Sequence, residues 1–161
     1  MPRQHIKVAV VTQKLEVYED DKLLSSYAIS TGKNGVGEQI DSGCTPRGLH
    51  QVYAIIGSDC LVNSVFIARK LTGEIYSQAL ANAFPDRDWI LTRIIRLDGM
   101  EPGFNKGGEV DSLSRYIYIH GTPDETTLGV PGSKGCIRMR NHDIIVLADW
   151  INVGATVLIE D

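Results

Sequence analysis

Apolar residues in this chain recur with a period of two, in short stretches separated by turn-forming residues. Ile6, Val8 and Val10 alternate with Lys7, Ala9 and Val11. Gln13-Lys14 turns the chain, and Leu15, Val17 and Tyr18 begin a second such stretch. Asp20-Asp21 supplies a second turn, followed by a third stretch from Leu23 to Ser30. Alternation of this kind marks strands with one face on a core. Further strands are expected over 49–56, 65–68, 89–97, 116–119 and 155–159. Helices are few. Residues 71–84 are ambiguous, with a short helix over 77–83. A clearer helix starts at Asn141, read as its N-cap. Asp143 lies in its first turn, Ile144, Ile145, Leu147, Ala148 and Ile151 form its apolar face, and Gly154 stops it. Many short strands and one or two short helices predict a mainly β fold, a sandwich or barrel-like sheet.

The 161 residues suit a single domain spanning 1–161, with no repeat or linker to divide it. The net charge of −4 argues against a nucleic-acid partner, which requires a concentrated basic surface. No apolar run approaches the roughly 20 residues that cross a bilayer. The N-terminus reads as a first strand rather than a signal peptide, so a cytoplasmic location is expected, with a periplasmic one as the alternative. Cys44, Cys60 and Cys136 are too few and odd in number for a disulfide framework.

Chemistry concentrates in two segments, Tyr118-Ile-His-Gly-Thr122 and Gly132-Ser-Lys-Gly-Cys-Ile-Arg-Met-Arg-Asn141. A thiol attacks a carbonyl as thiolate and needs a base or positive charge beside it. His120 ends a strand 16 positions before Cys136, which sits in a glycine-flanked loop before the helix. Lys134, Arg138 and Arg140 form a basic island expected to favour the thiolate and to attract a carboxylate. Gly135 lets the backbone approach a substrate, so the Gly135 and Cys136 amides are candidates for an oxyanion hole. The residues leave other readings open. Cys136 is equally compatible with core filling. His142 is a rival base, and Lys134 and Arg140 suit ordinary solvated positions. Cys136-x5-His142 matches no standard zinc spacing, and no metal or cofactor is expected.

These segments resemble the L,D-transpeptidase catalytic domain, also called the YkuD-type domain. The family pattern of His-Gly followed by Ser/Thr-x-Gly-Cys-hydrophobic-Arg stands here as His120-Gly121 and Ser133-Lys134-Gly135-Cys136-Ile137-Arg138. Ser30-Thr31-Gly32 and Thr45-Pro46-Arg47-Gly48 resemble upstream family turns, and Lys134 replaces a histidine frequent in the family. The resemblance implies that Cys136 forms a thioester and His120 takes its proton. It implies that the Gly121 carbonyl orients the imidazole, and that the Gly135 and Cys136 amides bind the oxyanion. Ser133, Arg138 and Tyr118 are implied substrate-side residues.

The implied substrate is a peptidoglycan stem peptide or muropeptide, cleaved between diaminopimelate and D-alanine. Water as acceptor makes the chain an L,D-carboxypeptidase of muropeptide recycling, the reading expected from the N-terminus. An exported transpeptidase that forms 3-3 cross-links or exchanges D-amino acids is the alternative. An inactive muropeptide-binding module is the alternative from another class. Nothing in the sequence sets the oligomeric state.

Overall fold

The structure, a computed structural model, describes residues 2–161. It contains ten strands: β1 (Gln4–Ala9), β2 (Lys14–Glu19), β3 (Lys22–Ser30), β4 (Gly48–Ile56), β5 (Ser64–Ile67), β6 (Lys70–Ile75), β7 (Ile90–Gly99), β8 (Tyr118–Thr122), β9 (Ile137–Arg140) and β10 (Thr156–Glu160). Two α-helices accompany them, α1 (Gln78–Ala83) and α2 (Asn141–Trp150), with one 3-10 turn over Gly108–Val110. The mainly β expectation is met. The strands hydrogen-bond in the order β4-β10-β1-β2-β3-β9-β8-β7-β5-β6. An additional β4–β7 pairing closes the sheet on itself and leaves the β5–β6 hairpin as an extension. Closure removes most of the free edges that an open sheet would present.

The period-two pattern explains the filling. Ile6, Val8, Leu15, Ile29, Val52, Ile95, Leu97, Ile119, Ile137, Met139, Val157 and Ile159 are buried in one cluster. Ile144, Leu147, Ala148 and Ile151 add the apolar face of α2 to it. A smaller cluster of Phe66, Ile94 and Tyr118 packs with Cys60, Ile90 and Cys136. Tyr118 and Ile119 are adjacent, yet they serve different clusters, because successive strand side chains point to opposite faces.

Three local expectations change. Between the cysteine loop and the helix lies a four-residue strand, β9, which pairs in parallel with β8 and antiparallel with β3. Asn141 is the first residue of α2 rather than its cap; Arg140 holds the cap position and makes no side-chain cap bond. Its amide is used elsewhere, as described below. The ambiguous segment 71–84 resolves into β6 and α1, and α1 is capped by Ser77 Oγ, which accepts from the Leu80 amide.

A titratable side chain is buried on β4 itself. His50 is fully buried, with Nδ1 3.0 Å from the Gly48 carbonyl and Nε2 2.8 Å from Ser112 Oγ. A carbonyl only accepts, so Nδ1 carries the hydrogen and Nε2 accepts from the serine hydroxyl. Burial pushes this imidazole below its ordinary value of 6.5, against the opposing pull of the Gly48 carbonyl, Glu101 and Asp98. The unfolded chain therefore takes up a proton that the folded chain refuses, and stability falls as the pH drops below 6.5. The melting temperature is expected to decrease between pH 7 and pH 5. That decrease should shrink in His50→Gln, without vanishing, because His120 is also buried. Scanning calorimetry of both proteins at the two pH values checks this.

Candidate active site

The site is built on the parallel pairing of β8 with β9. In that register His120 stands opposite Arg138, while Ile119 stands opposite Ile137 and Gly121 opposite Met139. Ile119, Ile137 and Met139 enter the core. Alternation then sends Tyr118, His120, Cys136 and Arg138 to the other face. One strand pair thus gathers four of the residues singled out in the sequence.

His120 is buried, and its Nδ1 lies 2.7 Å from the carbonyl of Gly121. Because that carbonyl can only accept, Nδ1 carries the hydrogen, and the lone pair of the neutral ring is on Nε2. Burial lowers the imidazole below its ordinary value of 6.5; the Gly121 carbonyl and Asp88 oppose that shift and Arg138 adds to it. The result is a neutral ring with a basic Nε2.

Gly121 is held from behind. A Cβ on it would come within 2.4 Å of Asn141 Oδ1 and 2.6 Å of the Leu91 carbonyl. Asn141 Oδ1 accepts from the Thr92 hydroxyl at 2.6 Å, and its Nδ2 donates to Asn63 Oδ1 at 2.9 Å. Asn63 N donates to Thr92 Oγ1 at 3.0 Å. Thr92 is a buried β-branched residue at φ 74°, where the β7–β8 register slips. Such a conformation is costly for threonine, and the triangle of hydrogen bonds with Asn63 and Asn141 offsets it. The sequence gives no sign of this support, since Asn63, Thr92 and Asn141 lie far apart in it.

Cys136 is half-buried. Its Sγ accepts from the Tyr118 amide at 3.3 Å and lies 3.3 Å from the Tyr116 carbonyl, to which the thiol donates. Among the described residues it makes no hydrogen bond to His120. Burial pushes the thiol up to about 12; the Tyr118 amide, Arg138 and Arg115 work against that, and Asp88 adds to it. The expectation that the basic island favours a thiolate is therefore corrected. Desolvation outweighs the nearby cations, and the two arginines of the island are committed elsewhere. Arg138 pairs with Asp88 at 3.1 Å and donates to the Gly132 carbonyl at 3.0 Å. Arg140 donates to the carbonyls of Asp124 and Thr126, and Lys134 is exposed. Burial thus drives both the thiol and the imidazole toward their neutral forms.

The oxyanion donors also need correction. The Gly135 amide is already engaged, donating to Ser133 Oγ at 3.1 Å. Its carbonyl accepts from Thr45 Oγ1 at 2.8 Å, and Thr45 Oγ1 in turn accepts from the Gly32 amide at 2.8 Å. In a trans peptide the N–H points opposite to the C=O. Thr45 therefore turns the Cys136 amide away from the Gly32 loop, and that amide has no protein acceptor among the described residues. It is free to donate to an incoming oxygen. Gly135 adopts φ 124°, and a Cβ there would sit 3.0 Å from the Cys44 carbonyl, so this position requires glycine. Arg115 braces the same loop through the carbonyls of Gly37, Glu38 and Cys44.

Of the implied substrate-side residues, Arg138 borders an open recess. Ser133 does not: it is buried and donates to the Cys136 carbonyl at 2.5 Å, clipping the loop. Tyr118 meets the site through its amide, while its hydroxyl accepts from Arg69. His142, the rival base, is exposed at the start of α2. Two recesses flank the cysteine loop and share Lys134. One of about 170 Å³ lies between residues 85–89 and Thr122, Thr126 and Arg138. The other, of about 490 Å³, is lined by Ile40, Asp41, Gly43 and residues 114–117. Among the described residues no group of three His, Cys, Asp or Glu side chains is placed to hold a metal, and no helix is long and apolar enough to cross a membrane.

The family model of the L,D-transpeptidase catalytic domain matches residues 3–159. The chain belongs to this family. YkuD of Bacillus subtilis, described as an L,D-transpeptidase, is 46% identical over 59 residues, a stretch that covers 36% of this chain and 36% of that protein. YqjB of Bacillus subtilis, described likewise, is 29% identical over 150 residues, 93% of this chain and 67% of that protein. The fold matches an L,D-transpeptidase from Mycobacterium smegmatis with a TM-score of 0.64 at 19% identity, over 99% of this chain and 59% of that one. This chain thus spans little more than half of that solved structure, and the 59-residue match about a third of YkuD.

Two outcomes test this geometry. Gly121→Ala is expected to destabilise the protein by about 1–3 kcal/mol, the usual cost of forcing an atom into a filled site; urea denaturation measures it. In the folded protein at pH 7, iodoacetamide should modify Cys136 more than about tenfold slower than in the urea-unfolded chain. Peptide mapping at timed intervals reads that ratio.

Proposed function

We propose that this chain cleaves the L,D bond between diaminopimelate and D-alanine of peptidoglycan tetrapeptide stems through a Cys136 thioester. The observation that carries this reading is the fixed tautomer of His120. Its Nδ1 hydrogen is held by Gly121 O at 2.7 Å, which leaves Nε2 as the base on the face shared with Cys136. In the first half-reaction the thiol attacks the L-centre carbonyl, its proton passes to His120 Nε2, and the Cys136 amide receives the negative oxygen. The tetrahedral species collapses, the C–N bond breaks, and D-alanine leaves with the proton from the imidazole. In the second half-reaction water attacks the thioester, gives its proton to Nε2, and releases the tripeptide and the thiol.

Water as acceptor makes the chain an L,D-carboxypeptidase, a reaction that asks nothing of the protein beyond the base already used for acylation. We place it on soluble muropeptides in the cytoplasm, a setting supported by three free cysteines. A second reading, transfer to an amine, is favoured by the larger recess of about 490 Å³ beside Tyr116, which offers room for an acceptor peptide.

Mass spectrometry of the protein incubated with disaccharide-tetrapeptide is expected to show loss of D-alanine, absent in Cys136→Ala and reduced at least about a hundredfold in His120→Gln. Cross-linked or D-amino-acid-exchanged products would assign the amine reading, and no Cys136-dependent product would overturn both in favour of a binding module. The imidazole is the base in its neutral form, and burial holds it below 6.5. The acid limb of the kcat/KM profile is therefore expected below pH 6.5, and a limb above that value would contradict the buried neutral base.

A further inference from the structure

The ladder between β7 and β8 is interrupted beside His120. From Arg96 opposite Tyr118 to Ile94 opposite His120 the register is regular. Continued, it would set Arg93 opposite Gly121. Leu91 stands there instead, so Thr92 and Arg93 form a two-residue bulge. The bulge is costly at both residues. Thr92 is β-branched and lies at φ 74°. Arg93 is buried, yet among the described residues its guanidinium pairs with no carboxylate. Its Nη1 donates to the carbonyls of Cys60 and Thr92, and its Nε has no acceptor.

Bulges and strained residues concentrate where a chain re-aims a functional group. The group aimed here is the Gly121 peptide. Its α-carbon is enclosed by the Leu91 carbonyl, the Asn141 side-chain oxygen and Thr92 Cβ. Thr92 and Asn141 are fixed to one another at 2.6 Å and to Asn63 at 3.0 and 2.9 Å. Thr92 comes from β7, Asn141 from the start of α2 and Asn63 from the loop before β5. Three separate parts of the chain therefore converge on one glycine of β8. What depends on that glycine is a single bond, from His120 Nδ1 to Gly121 O at 2.7 Å. Among the described residues the imidazole has no other hydrogen-bond partner, so this carbonyl alone sets its tautomer.

We infer that the Thr92-Arg93 bulge, held by Asn63 and Asn141, is a positioning device that keeps the Gly121 carbonyl on His120 Nδ1 and so keeps Nε2 free as the base. Asn63, Thr92 and Asn141 are positioning residues; they act on the chemistry through Gly121. Their purpose rests on the proposed L,D cleavage, whereas the tautomer they impose is read without any substrate. A network that served stability alone would weaken the fold when cut and leave the imidazole of the folded molecules unchanged. A positioning network changes the imidazole in molecules that are fully folded.

The test is a long-range proton–nitrogen NMR spectrum of the imidazoles at about pH 7.5, where a buried ring of lowered pKa is neutral. Signals absent from His120→Gln assign the ring. The unaltered protein is expected to show the Nδ1–H tautomer alone. Thr92→Val removes the hydroxyl. Asn63→Gly removes the acceptor of Asn141 and suits the backbone at φ 68°. Both variants are expected to show the Nε2–H form alongside Nδ1–H. Both should lower kcat on disaccharide-tetrapeptide roughly tenfold or more, with KM little changed. Thr92→Ser, which keeps the hydroxyl, should retain the single tautomer and most of kcat. Circular dichroism and urea denaturation establish that each variant is folded, and Asn63→Gly decides the matter should Thr92→Val not fold. A single Nδ1–H tautomer in the folded variants overturns the positioning role and leaves L,D cleavage standing. A mixed tautomer in the variants, with no D-alanine released by the unaltered protein, upholds the hold on His120 and overturns the cleavage.

Discussion

The parallel pairing of β8 with β9 is the constraint on which the site depends. It sets His120 opposite Arg138 and leaves Cys136 beside the Tyr118 amide. A slip of one residue would send the imidazole or the thiol into the core, since each strand alternates strictly between faces. The register is fixed from the other side, where Ile119, Ile137 and Met139 are buried to completion. Core packing therefore positions the chemistry, and the two faces of one strand pair are coupled through period two alone.

The electrostatic character of the site follows from that placement. Strands buried on both faces carry little water, and removing water penalises ions more than neighbouring cations can compensate. Thiol and imidazole are both driven toward their neutral forms. What the backbone carbonyls fix instead is orientation: Gly121 O holds the His120 tautomer, and Gly135 O, held by Thr45, aims the Cys136 amide.

Much of this was legible in the sequence, unevenly. Alternation of apolar residues exposed most strands because a half-buried strand has no other economical pattern. His120 and Cys136 stood out through their glycine neighbours. β9 did not, because its four residues carry two arginines and run directly into a helix, so they read as a charged island. Asn141 read as a cap, since nothing local shows that Thr92 and Asn63 lie within reach of its amide. Charge counting misjudged Cys136 because burial, the larger effect, is set by contacts distant in sequence, and because Arg138 is paired with Asp88, 50 positions away.

The Thr45–Gly135 hydrogen bond joins residues 90 positions apart. Contacts of such separation form late, after the loop-closure entropy has been met by other pairings. A chain that has made its local hairpins, β1–β2–β3 among them, already contains the full motif and yet has no oriented amide at Cys136. The orientation of this amide is thus a late product of folding, and an incompletely folded molecule carries Cys136 without it.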